Sequence, residues 1–111
     1  MNELTFPWPP SALKPNVKTH WTKKAKFAKE YKETCFYLTK EAKTPQGTYR
    51  SLEMVFYPPN KRGFDLDNML ATMKSGIDGM TLALNINDNC FKKISVEMSE
   101  DIGGFVKIHL K

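Results

Sequence analysis

The middle of the chain, where an apolar strand pattern leads into a long amphipathic helix pattern, constrains the fold most. Alternating apolar residues over Ser51–Tyr57 predict a strand, and Val55 and Tyr57 on its second face suggest that both faces are covered. From Leu66 or Asp67 to Leu84, apolar residues recur at steps of three and four, which predicts one helix. Gly76 and Gly79 weaken this helix but permit close packing on the sheet or on a partner. A strand followed by an amphipathic helix favours helices packed on a sheet.

The flanking segments extend this pattern in both directions. Leu4, Phe6 and Trp8 alternate as a short strand, which the following prolines restrict to an edge or a bulge. An apolar stripe at helical spacing predicts a helix over residues 20–43, and residues 93–99 and 105–110 predict an antiparallel hairpin. The predicted fold class is therefore α/β (α+β mixed), a single domain over residues 1–111. Its mixed β-sheet is flanked by two helices in the order β-α-β-α-β-β.

Length and composition favour one globular domain. The chain has 111 residues, of which 41% are hydrophobic, and its apolar runs are too short to cross a membrane. Met1 to Trp8 does not resemble a signal peptide, so we expect a cytoplasmic protein without membrane partners. Cys35 and Cys90 are then expected to be reduced thiols.

Charge is distributed unevenly along the chain. Residues 14–62 contain twelve Lys or Arg residues against four Glu residues, whereas residues 63–111 contain five Lys residues against seven acidic residues. A cationic surface attracts polyphosphate through release of counterions. The first half thus favours a nucleic-acid partner, although lysine-rich helices are also ordinary solvated surfaces.

The run Asp65-Leu66-Asp67-Asn68 carries the chemistry that the sequence predicts. Two carboxylates this close repel each other unless a cation lies between them, and oxygen-only ligands suit Mg²⁺. Lys74 and Asp78 each lie within about 20° of Asp67 around a continuous helix axis. Asp67 is alternatively a simple helix N-cap. Asp88 is alternatively ordinary turn chemistry, unless its loop leads into a strand next to the one ending at Pro58, which brings it near Asp65 and Asp67.

In this order, the motifs resemble those of the RusA-type Holliday junction resolvases. The resemblance covers nearly the whole chain, including the opening Leu4–Ser11, the Asp65–Asn68 motif, Lys74, Asp78 and Asp88. This chain departs from the family pattern in three ways. Lys74 comes later after Asp67 than in the family pattern. Asn87 occupies a position where an acidic residue is frequent, and Phe64 occupies one where a basic residue is frequent. These departures leave the preferred substrate open.

The resemblance implies a homodimeric, Mg²⁺-dependent endodeoxyribonuclease in the cytoplasm of bacterial or phage-infected cells. It is expected to resolve four-way DNA junctions in recombination and repair, with Mn²⁺ as a substitute metal. Asp65, Asp67 and Asp88 are the implied metal ligands, and Lys74 is the implied essential lysine. A metal-activated water is expected to attack the scissile phosphate. Asp78, His20 and Asn68 are possible accessory residues. The cations expected to contact DNA phosphates are Lys14, Lys18, Lys23, Lys24, Lys61 and Arg62.

Three other functions stay open at this point. One is a less selective nuclease for flaps and forks, the second is a DNA-junction-binding module without catalysis, and the third is a structural or regulatory protein. His20 and Trp21 also have two interpretations. His20 either assists at the site or lies near a helix N-terminus, and Trp21 either stacks on an unpaired base or begins the core stripe of its helix.

Overall fold

A four-stranded mixed sheet forms the centre of the protein in a computed structural model that describes residues 2–15, 18 and 20–111. Its strands are β1 (Glu3–Pro7), β2 (Ser51–Tyr57), β3 (Lys93–Met98) and β4 (Phe105–Leu110). Across the sheet the order is β1-β4-β2-β3; β2 and β3 run parallel, and the other two pairs are antiparallel. The predicted mixed sheet in a single small domain is confirmed, and β1 lies at an edge as its prolines require.

Within the described residues, three α-helices, not two, accompany the sheet: α1 (Trp21–Glu41), α2 (Leu66–Thr72) and α3 (Lys74–Leu84). The single helix predicted to end at Leu84 is interrupted at Met73, whose N–H group contacts the carbonyls of both Met69 and Leu70. The Thr72 hydroxyl donates to the Asn68 carbonyl at 2.6 Å. Such a bond to the preceding turn competes with the helix backbone and bends it. No helix in the described part of the chain is long and apolar enough to cross a membrane.

The predicted hairpin of β3 and β4 is wrong, because β2 lies between these strands. After β3, the N–H groups of Gly103 and Gly104 donate to the carbonyls of Pro58 and Tyr57 at 2.9 and 2.7 Å. These bonds carry the chain across the end of β2, so that β4 pairs on the far side. Gly104 has a φ of 82°, which glycine adopts without strain. The alternate residues of β4 are buried, which suits a central strand, whereas β3 is half-exposed at an edge.

The hydrophobic core lies between one face of the sheet and the helices. Alternate residues of β1, β2 and β4 contribute to it, and Met69, Met73, Ile77 and Met80 cover them. The second face of β2 is only partly buried, so the prediction that both faces are covered is wrong. The apolar stripe predicted for this helix runs at steps of three and four from Trp21 through Ala25 to Ala42. The buried side of α1 is shorter than that stripe: Tyr31, Cys35 and Thr39 are buried, whereas Trp21, Ala25 and Ala42 are exposed.

Close packing of α3 against α1 depends on two glycines. A Cβ atom at Gly76 would lie 2.6 Å from Cε2 of Tyr31, and one at Gly79 would overlap the backbone carbonyl of Lys32. The Tyr31 hydroxyl in turn donates to the Pro7 carbonyl at 2.7 Å, which ties α1 to the end of β1. The close approach itself is confirmed, but it is made to helix α1 and not to the sheet.

Both cysteines are free thiols in environments that differ in accessibility. Cys35 is buried in the core and Cys90 is partly exposed. Burial raises the pKa of the Cys35 thiol to about 12. We expect a thiol reagent such as Ellman's reagent to label Cys90 in the folded protein and Cys35 at least about 100-fold more slowly. A Cys90→Ser variant should retain only the slow reaction, and rapid labelling of this variant would contradict the buried position of Cys35.

The same burial predicts a loss of stability at alkaline pH. The pKa of the Cys35 thiol is 9.0 when the residue is unperturbed, and burial raises it in the folded protein. Once the thiol of the unfolded chain ionises, the folded state therefore binds more protons than the unfolded chain. The free energy of unfolding should therefore decrease as the pH rises from about 9.0 towards about 12. Urea unfolding across this range measures the slope, and a Cys35→Ala variant should show a smaller one.

Candidate active site at the junction of α2 and α3

Lys74, the first residue of α3, joins two carboxylates from different parts of the chain. Its Nζ atom donates to Oδ1 of Asp78 at 2.7 Å and to Oδ2 of Asp88 at 3.2 Å. The hydrogen bond to Asp78, followed by that to Asp88, raises the pKa of Lys74 above its usual value. Its side chain remains 66% exposed. The site therefore presents a protonated ammonium to solvent, held in place by two anions.

Local backbone geometry explains how these three side chains meet. Asp78 lies one helical turn after Lys74 on α3, which is the spacing at which helix side chains interact. Helix α3 ends at Asn85, which has a left-handed φ of 57°. The Asn87 side chain then accepts from the N–H group of Asn89 at 3.1 Å and starts a short 3₁₀ helix at Asp88. This turn places Asp88 beside α3, within reach of Lys74.

The two aspartates of the acidic motif lie at the N-terminal end of α2. Because Asp65 occupies the N-cap position, the interpretation of Asp67 as the N-cap is wrong. The Asp65 side chain makes no capping hydrogen bond. The Asn68 amide contacts Oδ2 of Asp65 at 3.5 Å. Asp67 lies in the first helical turn and is exposed. Both carboxylates are therefore open to solvent, at the helix end where negative charge is favoured.

The predicted metal ligands agree with Mg²⁺ in their chemistry, since Asp65, Asp67 and Asp88 all offer exposed carboxylate oxygens. Strand β3 does lie next to β2, but the parallel register sets Lys93 opposite Ser51. Asp88 comes just before β3 and is therefore at the end of the sheet where β2 begins. Asp65 comes after β2 and is at the opposite end, where β2 finishes. Among residues 2–15, 18 and 20–111, no group of three or more His, Cys, Asp or Glu side chains is arranged to hold a metal ion. The three-aspartate site stays a prediction.

Lys74 and Ala71 border two clefts. One, here called the Trp21 groove, has a volume of about 390 Å³ and separates the start of α1 from the α2–α3 junction. The other, here called the Ile94 cleft, has a volume of about 460 Å³ and extends towards edge strand β3. Asp78 faces the Trp21 groove, and Asp88 faces the Ile94 cleft. The ion-paired lysine thus stands where two concave surfaces meet.

An uncharacterized protein from Xylella fastidiosa is similar to this chain. The two are 36% identical over 106 residues, which cover 91% of this chain and 68% of the relative. This chain belongs to the family of that protein. No protein-family model matches the sequence.

Part of the predicted cationic surface lies directly beside the acidic motif. The Lys14 ammonium stands 4.9 Å from the centre of the Phe64 ring, and Lys24 donates to the Lys14 carbonyl at 3.1 Å. These contacts connect the start of α1 to the residue that precedes Asp65. The other predicted phosphate contacts are exposed, at positions Lys18, Lys23, Lys61 and Arg62.

His20 and Trp21 form the N-terminus of α1. The His20 ring accepts a hydrogen bond from the Thr22 N–H group at 3.4 Å and stacks on the Trp21 ring, with ring centres 6.0 Å apart. The prediction that His20 lies near the helix N-terminus is confirmed, and it caps that end. Trp21 is 74% exposed, so the prediction that it begins the core stripe is wrong.

Sequence reasoning missed the contact between Lys74 and Asp88 and the two clefts beside it. The spacing of Lys74 and Asp78 signals an ion pair on a helix, but a partner fourteen positions away has no such periodic signal. The clefts depend on small residues such as Ala28 and Ala71, which helical sequences commonly contain.

Proposed function

We propose that this protein is a Mg²⁺-dependent endodeoxyribonuclease that cleaves branched DNA, with four-way junctions as the preferred substrate. The observation that carries the proposal is the Lys74 ammonium held between Asp78 and Asp88. It lies in the segment that starts with the Asp65–Asn68 motif and beside a groove lined by Lys24. An exposed cation, two exposed acidic groups and a basic helix together suit cleavage of a phosphodiester.

The proposed chemistry assigns a role to each of these residues. Negative charge increases on the phosphate oxygens as a nucleophile attacks, and a preorganised cation stabilises that charge. Lys74 provides this cation: like any lysine it is protonated at neutral pH, and its hydrogen bonds to Asp78 and Asp88 raise its pKa further. Asp78 and Asp88 fix its position. Asp65 and Asp67, which lie two positions apart at the start of α2, would hold Mg²⁺, and the bound ion would supply Lewis acidity and an activated water, whereas Asp88 is assigned to Lys74.

The proposed DNA surface continues from the site along the start of α1. Lys14 lies beside the acidic motif and Lys24 contacts Lys14. The exposed residues Lys18, Lys23, Lys61 and Arg62 extend the cationic surface. Contacts of this kind with phosphates position the DNA without reading its sequence, and they weaken with increasing salt. We further propose that the protein acts as a homodimer in the cytoplasm, since two symmetric sites suit paired cuts in a junction.

Cleavage assays on matched substrates test this proposal. A labelled four-way junction, a Y-shaped fork and a linear duplex of the same sequences are incubated with the protein, with Mg²⁺ or with a chelator. We expect Mg²⁺-dependent cutting of the junction at least about tenfold faster than cutting of the duplex, and its loss in the chelator. An Asp67→Asn variant should not cut. Equal rates on junction and duplex would contradict the junction preference, and absence of cutting would contradict the nuclease.

A non-catalytic DNA-junction-binding module is the second candidate. The observation that favours it is the pairing of Asp88 with Lys74, which partly neutralises one implied metal ligand. Such a module would bind junctions without cutting them in Mg²⁺ or Mn²⁺. Junction binding that weakens with increasing salt, together with no cutting in either metal, would favour this module over the nuclease.

A further inference from the structure

We propose that the Trp21 groove binds an unpaired nucleobase, which stacks on the indole of Trp21 while the adjoining phosphate contacts Lys24. This inference deepens the proposed function and rests on DNA as the ligand. It begins with the exposure of Trp21, which at 74% exceeds that of Tyr37, Leu82, Ile94 and Ile102, the other large exposed hydrophobic residues in the described ranges. Leaving an indole in water forgoes a large burial energy. A ligand that covers the ring recovers that energy.

The surroundings of Trp21 limit the orientations of its ring. The neighbouring His20 ring lies nearly parallel to it, with an angle of 25° between the planes. His20 is itself held by Thr22, whose hydroxyl lies 2.6 Å from Nδ1 of the imidazole. This contact chain favours a preset ring orientation, which lowers the entropy cost of binding a flat ligand.

The groove beside Trp21 is open because its walls carry small side chains. Ala25 and Ala28 line it from α1, and Ala71 lines it from α2. Its volume of about 390 Å³ falls within the range of small-ligand clefts, roughly 300–1,000 Å³. An apolar groove with an aromatic group at its edge suits the face of a nucleobase, which stacks on aromatic side chains whatever its identity.

Charge around the groove identifies the ligand as a nucleotide unit of a nucleic acid. Lys24 lines the groove, and its ammonium bonds to a neutral carbonyl, so it keeps its positive charge for a phosphate. On the opposite wall stand Lys74 and Asp78 of the candidate active site. A base on Trp21 would thus belong to a nucleotide close to the phosphate beside Lys74. Single-stranded arms and strand ends carry unpaired bases, and a base pair at a branch point opens more readily than one inside a duplex, which distinguishes such DNA from a continuous duplex.

Binding of single-stranded DNA in a chelator tests this inference separately from cleavage. The probe is an oligothymidylate of roughly ten nucleotides, and its control is an abasic sugar–phosphate chain of the same length. We expect the thymidylate, and not the abasic chain, to quench the fluorescence of the wild-type protein. A Trp21→Phe variant, in which Trp8 is the remaining tryptophan, should lose this quenching.

Affinity measurements with aromatic variants complete the test. Trp21→Ala should weaken binding of the thymidylate about 10-fold and leave binding of the abasic chain unchanged, whereas Trp21→Phe should retain most of the affinity. Tyr37→Ala, a matched control that removes a 63% exposed aromatic residue on the same helix, should bind like wild type. Equal binding of both probes without quenching, or no binding of either, would overturn base stacking even if junctions are cut. Base-specific quenching without cutting would support stacking while the nuclease proposal fails.

Discussion

A Lys74→Met variant should lose about 100- to 1,000-fold of the single-turnover cleavage rate on a junction, because it removes the cation that the site holds for the phosphate. Methionine keeps much of the length of the side chain but leaves Asp78 and Asp88 without their shared partner. Both ion pairs are solvent-exposed, so the free energy of unfolding should change by less than about 1 kcal/mol. The expected result is a folded protein that binds DNA but cuts it slowly.

A matched control separates catalysis from the general effect of charge. Lys26→Met removes the same charge from an exposed position on α1 and should leave the cleavage rate within about twofold of wild type. Enzyme in excess over labelled junction gives the rate, and anisotropy in a chelator gives the affinity. If Lys74→Met and Lys26→Met cut at the same rate, Lys74 has no part in the chemistry.

A Gly79→Ala variant should be destabilised by about 3 kcal/mol, the largest stability effect expected here. A Cβ atom at this position would overlap the carbonyl of Lys32 and crowd the N–H group of Phe36, both of which belong to the backbone of α1. Alanine is the better helix former by about 1 kcal/mol, but that gain is smaller than the cost of separating two packed helices. Urea unfolding followed by circular dichroism measures the change.

Two further glycines provide a graded comparison. At Gly76 the added carbon meets the Tyr31 ring, a side chain with some freedom to move, so Gly76→Ala should be destabilised by about 1–2 kcal/mol. Gly47 has nothing within 4 Å of its added carbon, and Gly47→Ala should stay within about 0.5 kcal/mol of wild type. Unfolding of Gly79→Ala at the wild-type urea concentration would show that the α1–α3 contact is looser than the structure indicates.

The candidate site was partly predictable because some of its geometry is local. Lys74 and Asp78 are one helical turn apart, so their pairing follows from the helix alone. The prediction that Asp67 and Lys74 lie on the same side of one helix required a continuous helix axis. The interruption at Met73 places Asp67 on α2 and Lys74 on α3. Asp88 reaches Lys74 through a loop whose path depends on where α3 ends. Side-chain patterns within one element cannot specify such a contact between elements.

Local periodicity in the sequence by itself determined the type of each element: β2 lies at its predicted bounds, and an amphipathic helix follows the Asp65–Asn68 motif. The tertiary structure decided how these elements combine. It inserts β2 between β3 and β4, exposes Trp21 and sets α3 directly against the backbone of α1. The physical reason is that periodicity records which face of an element is apolar, whereas the choice among apolar partners depends on the packing of the whole core.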